Sequence, residues 1–270
     1  MKIVERIQAL HTTSQSTEDK VKYSCPICKD AKMIQNPDGT WSECQCQIKE
    51  RISRLWENFG VKPDDVKKLN DYVPYDKRTK EAKEKAVEYI KRFDEIRQGK
   101  ENSFGLFGQA GAGKSHIVIA MGVALLSRDK YIPVVYMPYL EAMRGLKANS
   151  MDDEYYIKLS NRYNQAPLLI IDDLFKDKVR NGQIIRDRYN QAGLNEADMK
   201  HIMPIINYRY VNNLPTLIST ECTPDMLYDL DEALAGRILE RCGSNMVVFK
   251  GEQYNYRMKK FLKAKAKTQI

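Results

Sequence analysis

The chain has 270 residues, with 44 basic against 36 acidic side chains and a formal net charge of +8, and its 43% hydrophobic content suffices for a sizeable buried core in one large or two smaller domains. No stretch approaches the roughly 18 uninterrupted apolar residues of a membrane span, and the amphipathic start MKIVERIQALHTTSQ lacks a signal-peptide cleavage pattern. These features argue against a membrane or secreted protein and predict a cytoplasmic globular one, whose basic balance suits a polyanionic partner such as nucleic acid.

Four of the six cysteines open the chain as CPIC and CQC, a C-x2-C-x15-C-x-C array of Cys25, Cys28, Cys44 and Cys46. Such clustering in a reducing compartment favours a metal over disulfides. Four thiolates would close a zinc coordination shell, so the expected Zn²⁺ is structural and not catalytic. NPDGTW between the pairs reads as a β-turn that folds both halves around the ion. Two alternatives stand beside this: His11 replacing one cysteine of the CQC pair, or a thiol cluster without metal.

The segment GVKPDDVKKLNDYVPYDKRTK is polar and twice broken by proline, which places a boundary near Asn70 between modules 1–70 and 71–270. EAKEKAVEYIKRFDEIRQ then returns to helical periodicity. From Ser103 onward, short apolar runs (FGLFG, PVVYMP, PLLIIDD, PTLIST, MVVF) alternate with longer amphipathic stretches, the pattern of parallel strands joined by helical crossovers. The second module is therefore expected to be a three-layer α/β domain.

GQAGAGKS, comprising Gly108, Gln109, Ala110, Gly111, Ala112, Gly113, Lys114 and Ser115, fits G-x-x-x-x-G-K-[ST] between a strand-like SFGLF and the helical pattern SHIVIAMGVALL. In that context the glycines let backbone N–H groups turn toward a β-phosphate. Lys114 sets a cation between the β- and γ-phosphates, Ser115 can ligate Mg²⁺, and the helix N-terminus adds its positive end. Such a loop requires carboxylates at the end of a neighbouring strand, and LLIIDD supplies them. Asp172 is assigned to Mg²⁺, mostly through its water shell, and Asp173 to polarising the attacking water.

After these acids, KDKVRNGQIIRDRYNQ interleaves Lys176, Lys178, Arg180, Arg186 and Arg188 with Tyr189, which reads either as a single-stranded DNA surface or as a solvated loop and helix face. Cys222 and Cys242 read as small buried side chains. The basic tail RMKKFLKAKAKTQI reads as a fraying helix end.

Taken together, GQAGAGKSH with His116 following the loop, LLIIDDLF, NNLPTLIST and ALAGRILERCG resemble the AAA+ replicative helicase loaders of the DnaC/DnaI group, common in bacteria and phages, and the related IstB transposition ATPases. The resemblance covers Tyr89 to about Arg257 well and the cysteine module more loosely. It implies an AAA+ P-loop NTPase fold, hydrolysis of ATP to ADP and phosphate, and self-association through AAA+ interfaces. It further implies loading of a DnaB-type ring helicase onto single-stranded DNA, with module 1–70 as the helicase-interacting part. Of the two arginines four residues apart in ALAGRILERCG, Arg241 occupies the position of the arginine finger and Arg237 supports it. Arg257 resembles the later arginine that touches nucleotide within the same subunit. After the TLIST strand the loaders commonly carry an asparagine that orients water, whereas this chain has Glu221, so the resemblance leaves Thr220 or Glu221 as the polar sensor. Regulation of a transposase on duplex DNA, or a nucleotide-dependent binding module with degenerate catalysis, are the other readings.

Overall fold

The computed structural model describes residues 23–60, 68–127, 132–189, 191–251 and 255–256. The readings placed on His11, Arg257 and the basic tail lie outside the described residues. The chain folds as two compact units that divide between Ser53 and Arg54.

In the first unit, β1 (Met33–Gln35) pairs antiparallel with β2 (Trp41–Glu43), Ile34 lying opposite Ser42. The hairpin closes through the expected turn, Gly39 N–H donating to Asn36 O at 3.0 Å while Asp38 accepts from Thr40 N–H. Helix α1 (Gln45–Phe59) follows. Its end belongs with the second unit, where Phe59 is fully buried beside Tyr136. This division falls ahead of the proline-broken segment near Asn70, because apolar burial, and not chain composition, decides where a compact unit starts.

The second unit begins with a short 3-10 turn, Leu69–Asp71, and α2 (Lys77–Ile96). Asp76 caps α2, accepting from Thr79 N–H at 2.7 Å, and Thr79 Oγ1 accepts from Asp76 N–H in return. Ala82, Ala86, Tyr89 and Phe93 form its buried stripe. The remaining elements follow in chain order: β3 (Phe104–Gly108), α3 (Lys114–Leu126), β4 (Val134–Pro138), α4 (Tyr139–Ala148), α5 (Asp153–Asn164), β5 (Leu168–Leu174), the small hairpin β6 (Val179–Arg180) and β7 (Gln183–Ile184), α6 (Glu196–Val211), β8 (Thr216–Thr220), α7 (Pro224–Leu230), α8 (Glu232–Cys242) and β9 (Met246–Phe249).

Five strands make one parallel sheet in the order β4-β5-β8-β3-β9. All five apolar runs picked from the sequence are these strands. β3 and β8 are buried along their whole length, which explains their lack of polar alternation. The pleat of β5 sorts its residues into two cores: Leu168 and Ile170 pack with α2 and α3, Leu169 and Ile171 with α4, α6 and α8. This is a three-layer α/β domain. Cys222 and Cys242 are fully buried in the second core, which pushes their thiols up to about 11 and about 12.

Candidate functional site

The glycine-rich loop leaves β3 at the carboxyl edge of the sheet and ends at Gly113, the N-cap of α3. Gly108 and Gly113 adopt φ of 95° and 82°, and a Cβ on Gly113 would stand 2.6 Å from the Tyr72 ring. Only glycine takes this backbone without strain, so the loop can turn its amides into the space that the helix's positive end also faces. Gly111, Ala112, Gly113, Lys114, Ser115 and His116 form one wall of a cavity of about 470 Å³. Gln109 and Ala110 are half-buried in the loop, and Gln109 N–H is held by Phe249 O at 2.9 Å. Lys114 is only 5% exposed, and its Nζ donates to the loop carbonyls of Gly108 and Gln109 at 2.7 and 2.6 Å.

The paired acids separate as two adjacent residues on a strand must. Asp172 is buried at the sheet edge, accepting from Tyr136 Oη at 2.9 Å and from Ser219 Oγ. Burial and the Asp172 carboxylate hold the Tyr136 phenol well above its usual pKa, so it stays a donor. The Ser219 hydroxyl also accepts from Asp173 N–H at 3.0 Å. A break in the β5–β8 register after Ile171 accompanies an Asp173 φ of 56°, and Asp173 reaches the cavity wall while Asp172 does not. A left-handed non-glycine residue costs on the order of 1 kcal/mol and is found where function fixes the backbone.

The two candidates for the polar sensor, Thr220 and Glu221, stand in different surroundings. Thr220 is fully buried, its hydroxyl donating to Leu174 O at 2.6 Å and accepting from Cys222 N–H at 3.0 Å. The hydroxyl proton is given to the backbone, so Thr220 ties the end of β8 to β5. Glu221 faces the cavity instead and is ion-paired with Lys176 on the same wall.

Sequence reasoning missed five further residues that line the cavity: Asp71, Tyr72, Val73, Tyr75 and Tyr256. Tyr72 Oη donates to Ala112 O at 3.0 Å, and its ring meets His116 edge-on at 5.4 Å. Tyr75 and Tyr256 lie 5.6 Å apart. The aromatic cluster in NDYVPY was the available signal, obscured by the prolines that marked it as linker.

Arg237 and Arg241 stand on α8, away from this cavity. Arg241 O accepts from Ser103 N–H at 2.9 Å, just before β3, whereas the loop follows the strand's other end. The five-residue strand separates the Arg241 backbone from the loop by about 16 Å, so Arg241 does not reach the loop of its own chain, and neither arginine lines the cavity. The Arg241 guanidinium donates to Tyr210 O, Lys100 O and Gly99 O and lies 4.6 Å from the Tyr210 ring. Arg237 donates to Asn207 Oδ1 at 3.1 Å and Ala233 O at 2.8 Å.

Among its described residues, the basic stretch after β5 forms a 3-10 turn and the β6–β7 hairpin and no α-helix. Lys176 pairs with Glu221, Lys178 with Asp198 at 2.6 Å, and Arg186 with Asp229 at 3.3 Å. Three of its five cations are thus already matched by carboxylates, which weakens its reading as a phosphate-binding surface; Arg188 lies 4.8 Å over Tyr189.

In the first unit the four cysteine sulfurs lie within 4.8 Å of one another, with Cys25–Cys44 at 3.8 Å and Cys28–Cys46 at 3.4 Å. Tetrahedral ligands at the usual Zn–S length stand about 3.8 Å apart, so the donor set fits the ion, and Cys46 converges with the other three cysteines. Backbone N–H groups of Cys28 and Ile27 pull the Cys25 thiol down to about 6, whereas burial and neighbouring thiols push Cys46 up to about 12. Among the described residues, no helix is long and apolar enough to cross a membrane.

A family described as "IstB-like ATP binding protein" matches residues 50–264. The phage-like element PBSX protein XkdC of Bacillus subtilis (strain 168) is 32% identical over 254 residues, covering 89% of this chain and 88% of that protein. The replicative helicase loader DnaI of the same organism is 26% identical over 164 residues, 57% of this chain and 47% of DnaI. Among solved structures, the DnaC helicase loader superposes with a TM-score of 0.54 at 21% identity, covering 73% of this chain and 99% of that one; at this identity the likeness establishes the fold.

Proposed function

Because the chain belongs to the IstB-like ATP-binding protein family and is an AAA+ P-loop ATPase, we propose that it is an ATP-dependent loader of a DnaB-type ring helicase onto single-stranded DNA at the start of replication. The observation that carries this reading is the pairing of a nucleotide cavity in one compact unit with a four-thiol cluster in the other. The similarity to DnaI supports the helicase as partner.

In this account the amides of the loop and Lys114 bind the phosphates of ATP, and the aromatic wall of Tyr75 and Tyr256 receives the base. Mg²⁺ would neutralise the β- and γ-phosphates, held by Ser115 Oγ and, through water, by Asp172. Tyr136 and Ser219 orient the Asp172 carboxylate. Asp173, on the cavity wall, polarises the attacking water. Cys25, Cys28, Cys44 and Cys46 would hold Zn²⁺, which would supply folding energy to the N-terminal module 1–70 that grips the helicase. Arg241, supported by Arg237, reaches the ATP of a neighbouring subunit, and Arg257 touches nucleotide in its own.

Co-elution of the full chain with a ring helicase of its host, lost in the Cys44→Ser variant, is the expected result. A helicase that never co-elutes, with or without ATP, would overturn the loader reading. The family description also favours a second reading, an ATPase that regulates a transposase. Its mark would be ATP-dependent assembly on duplex DNA without any helicase contact.

A further inference from the structure

One cation on the cavity wall remains outside the roles above. Lys176 lies two residues beyond β5, and its Nζ is ion-paired with Glu221, the first residue beyond β8. Both line the same cavity as Lys114, Ser115 and Asp173. The Glu221 side chain is 13% exposed, so its negative charge sits partly desolvated where an anion would bind. Unpaired, such a carboxylate repels a polyphosphate; beside Lys176 it does not.

The turn that carries Lys176 is fixed. Lys178, two residues on, pairs with the buried Asp198 at 2.6 Å, and its N–H donates to Phe175 O at 2.9 Å. The backbone of Lys176 therefore keeps its place, and only its four-carbon stem needs to swing for Nζ to change partner.

We propose that Lys176 is a second cation for the terminal phosphate of a nucleoside triphosphate, and that Glu221 is the internal carboxylate with which this phosphate competes. The pair then discriminates triphosphate from diphosphate. With a diphosphate the pair stays closed. With a triphosphate Lys176 turns to the γ-phosphate, and Glu221 is left facing an anion, a cost that lowers the preference for the triphosphate. The inference rests on the cavity being the nucleotide site.

The test is equilibrium binding of ADP and of a non-hydrolysable ATP analogue to the full chain in Mg²⁺, read as the ratio of the two affinities. Lys176→Met should shift the ratio roughly tenfold toward ADP, about the size of one charge-assisted phosphate contact. Glu221→Gln should shift it the other way by about fivefold, and Lys176→Arg should keep the parent ratio. The opposite signs separate the inference from general damage to the fold. An unchanged ratio in Glu221→Gln and Lys176→Met, with ADP still bound, overturns it while leaving the nucleotide site intact. A parent protein that binds neither nucleotide overturns the site reading, and this inference with it.

Discussion

Replacing Arg241 with alanine separates a finger role from a structural one. A cation that completes a neighbour's ATP site contributes on the order of a thousand-fold or more in rate. The strand between Arg241 and the loop of its own chain spans about 16 Å, so any catalytic contribution must cross a subunit interface. Arg241→Ala should therefore bind ATP as the parent does yet hydrolyse it at about a thousandth of the rate. Asp173→Asn fails for a different reason, having lost the acid beside the water. In a one-to-one mixture, an interface is complete when an Arg241→Ala subunit supplies the intact cavity and an Asp173→Asn subunit the arginine. With random, head-to-tail assembly this holds for roughly a quarter of interfaces, so phosphate release should recover to about a quarter of the parent rate. The substitution also removes donors to three carbonyls, those of Tyr210, Lys100 and Gly99, so thermal melting must confirm that the variant is folded. If folded parents form mixed assemblies, shown by energy transfer between labelled subunits, and phosphate release stays at the level of either variant alone, Arg241 is a structural clasp. The same mixing applied to Arg237 then tests the remaining arginine.

Three other outcomes follow from the geometry. Lys114→Ala should remove most ATP binding by titration calorimetry, since its buried ammonium is the main side-chain cation of the loop; unchanged affinity would remove the whole site assignment. Metal analysis of freshly reduced protein should find about one zinc per chain, and Cys25→Ser should abolish it while the ATPase unit still melts cooperatively. Burial alone would raise the Asp198 carboxyl, but Lys147 at 2.5 Å and Lys178 at 2.6 Å outweigh it and hold its pKa below the ordinary value. Its stabilisation is present above the unfolded pKa of about 4 and is lost as pH falls through the lower folded value. Asp198→Asn should accordingly cost about 2–3 kcal/mol at neutral pH, less than a fully buried pair because both lysines can regain water, and the gap in melting temperature should narrow below about pH 4. A gap that is constant across that range would refute the electrostatic account.

What was legible in the sequence had a local signal. The five strands could be read because parallel strands buried on both faces are continuous apolar runs, and the loop and cysteines because their spacing is itself the geometry. What was not legible depends on partners distant in the chain. Tyr136 and Ser219 meet Asp172 across 36 and 47 residues, and nothing near either residue signals the contact. The run from Lys176 to Arg188 looked like a phosphate-binding surface because its counter-ions, Asp198, Glu221 and Asp229, come later in the chain. Thr220 and Glu221 were not told apart at the strand end, where the Thr220 hydroxyl turns back to Leu174 O and the next residue takes the cavity wall.

The loader function is tested most directly by helicase loading onto a closed single-stranded DNA circle bearing an annealed strand and coated with single-strand binding protein. The host's ring helicase should displace that strand only when this chain and ATP are both present, and the Lys114→Ala chain should fail to support it. Displacement at the same rate without the chain, or with the Lys114→Ala chain, would contradict the account.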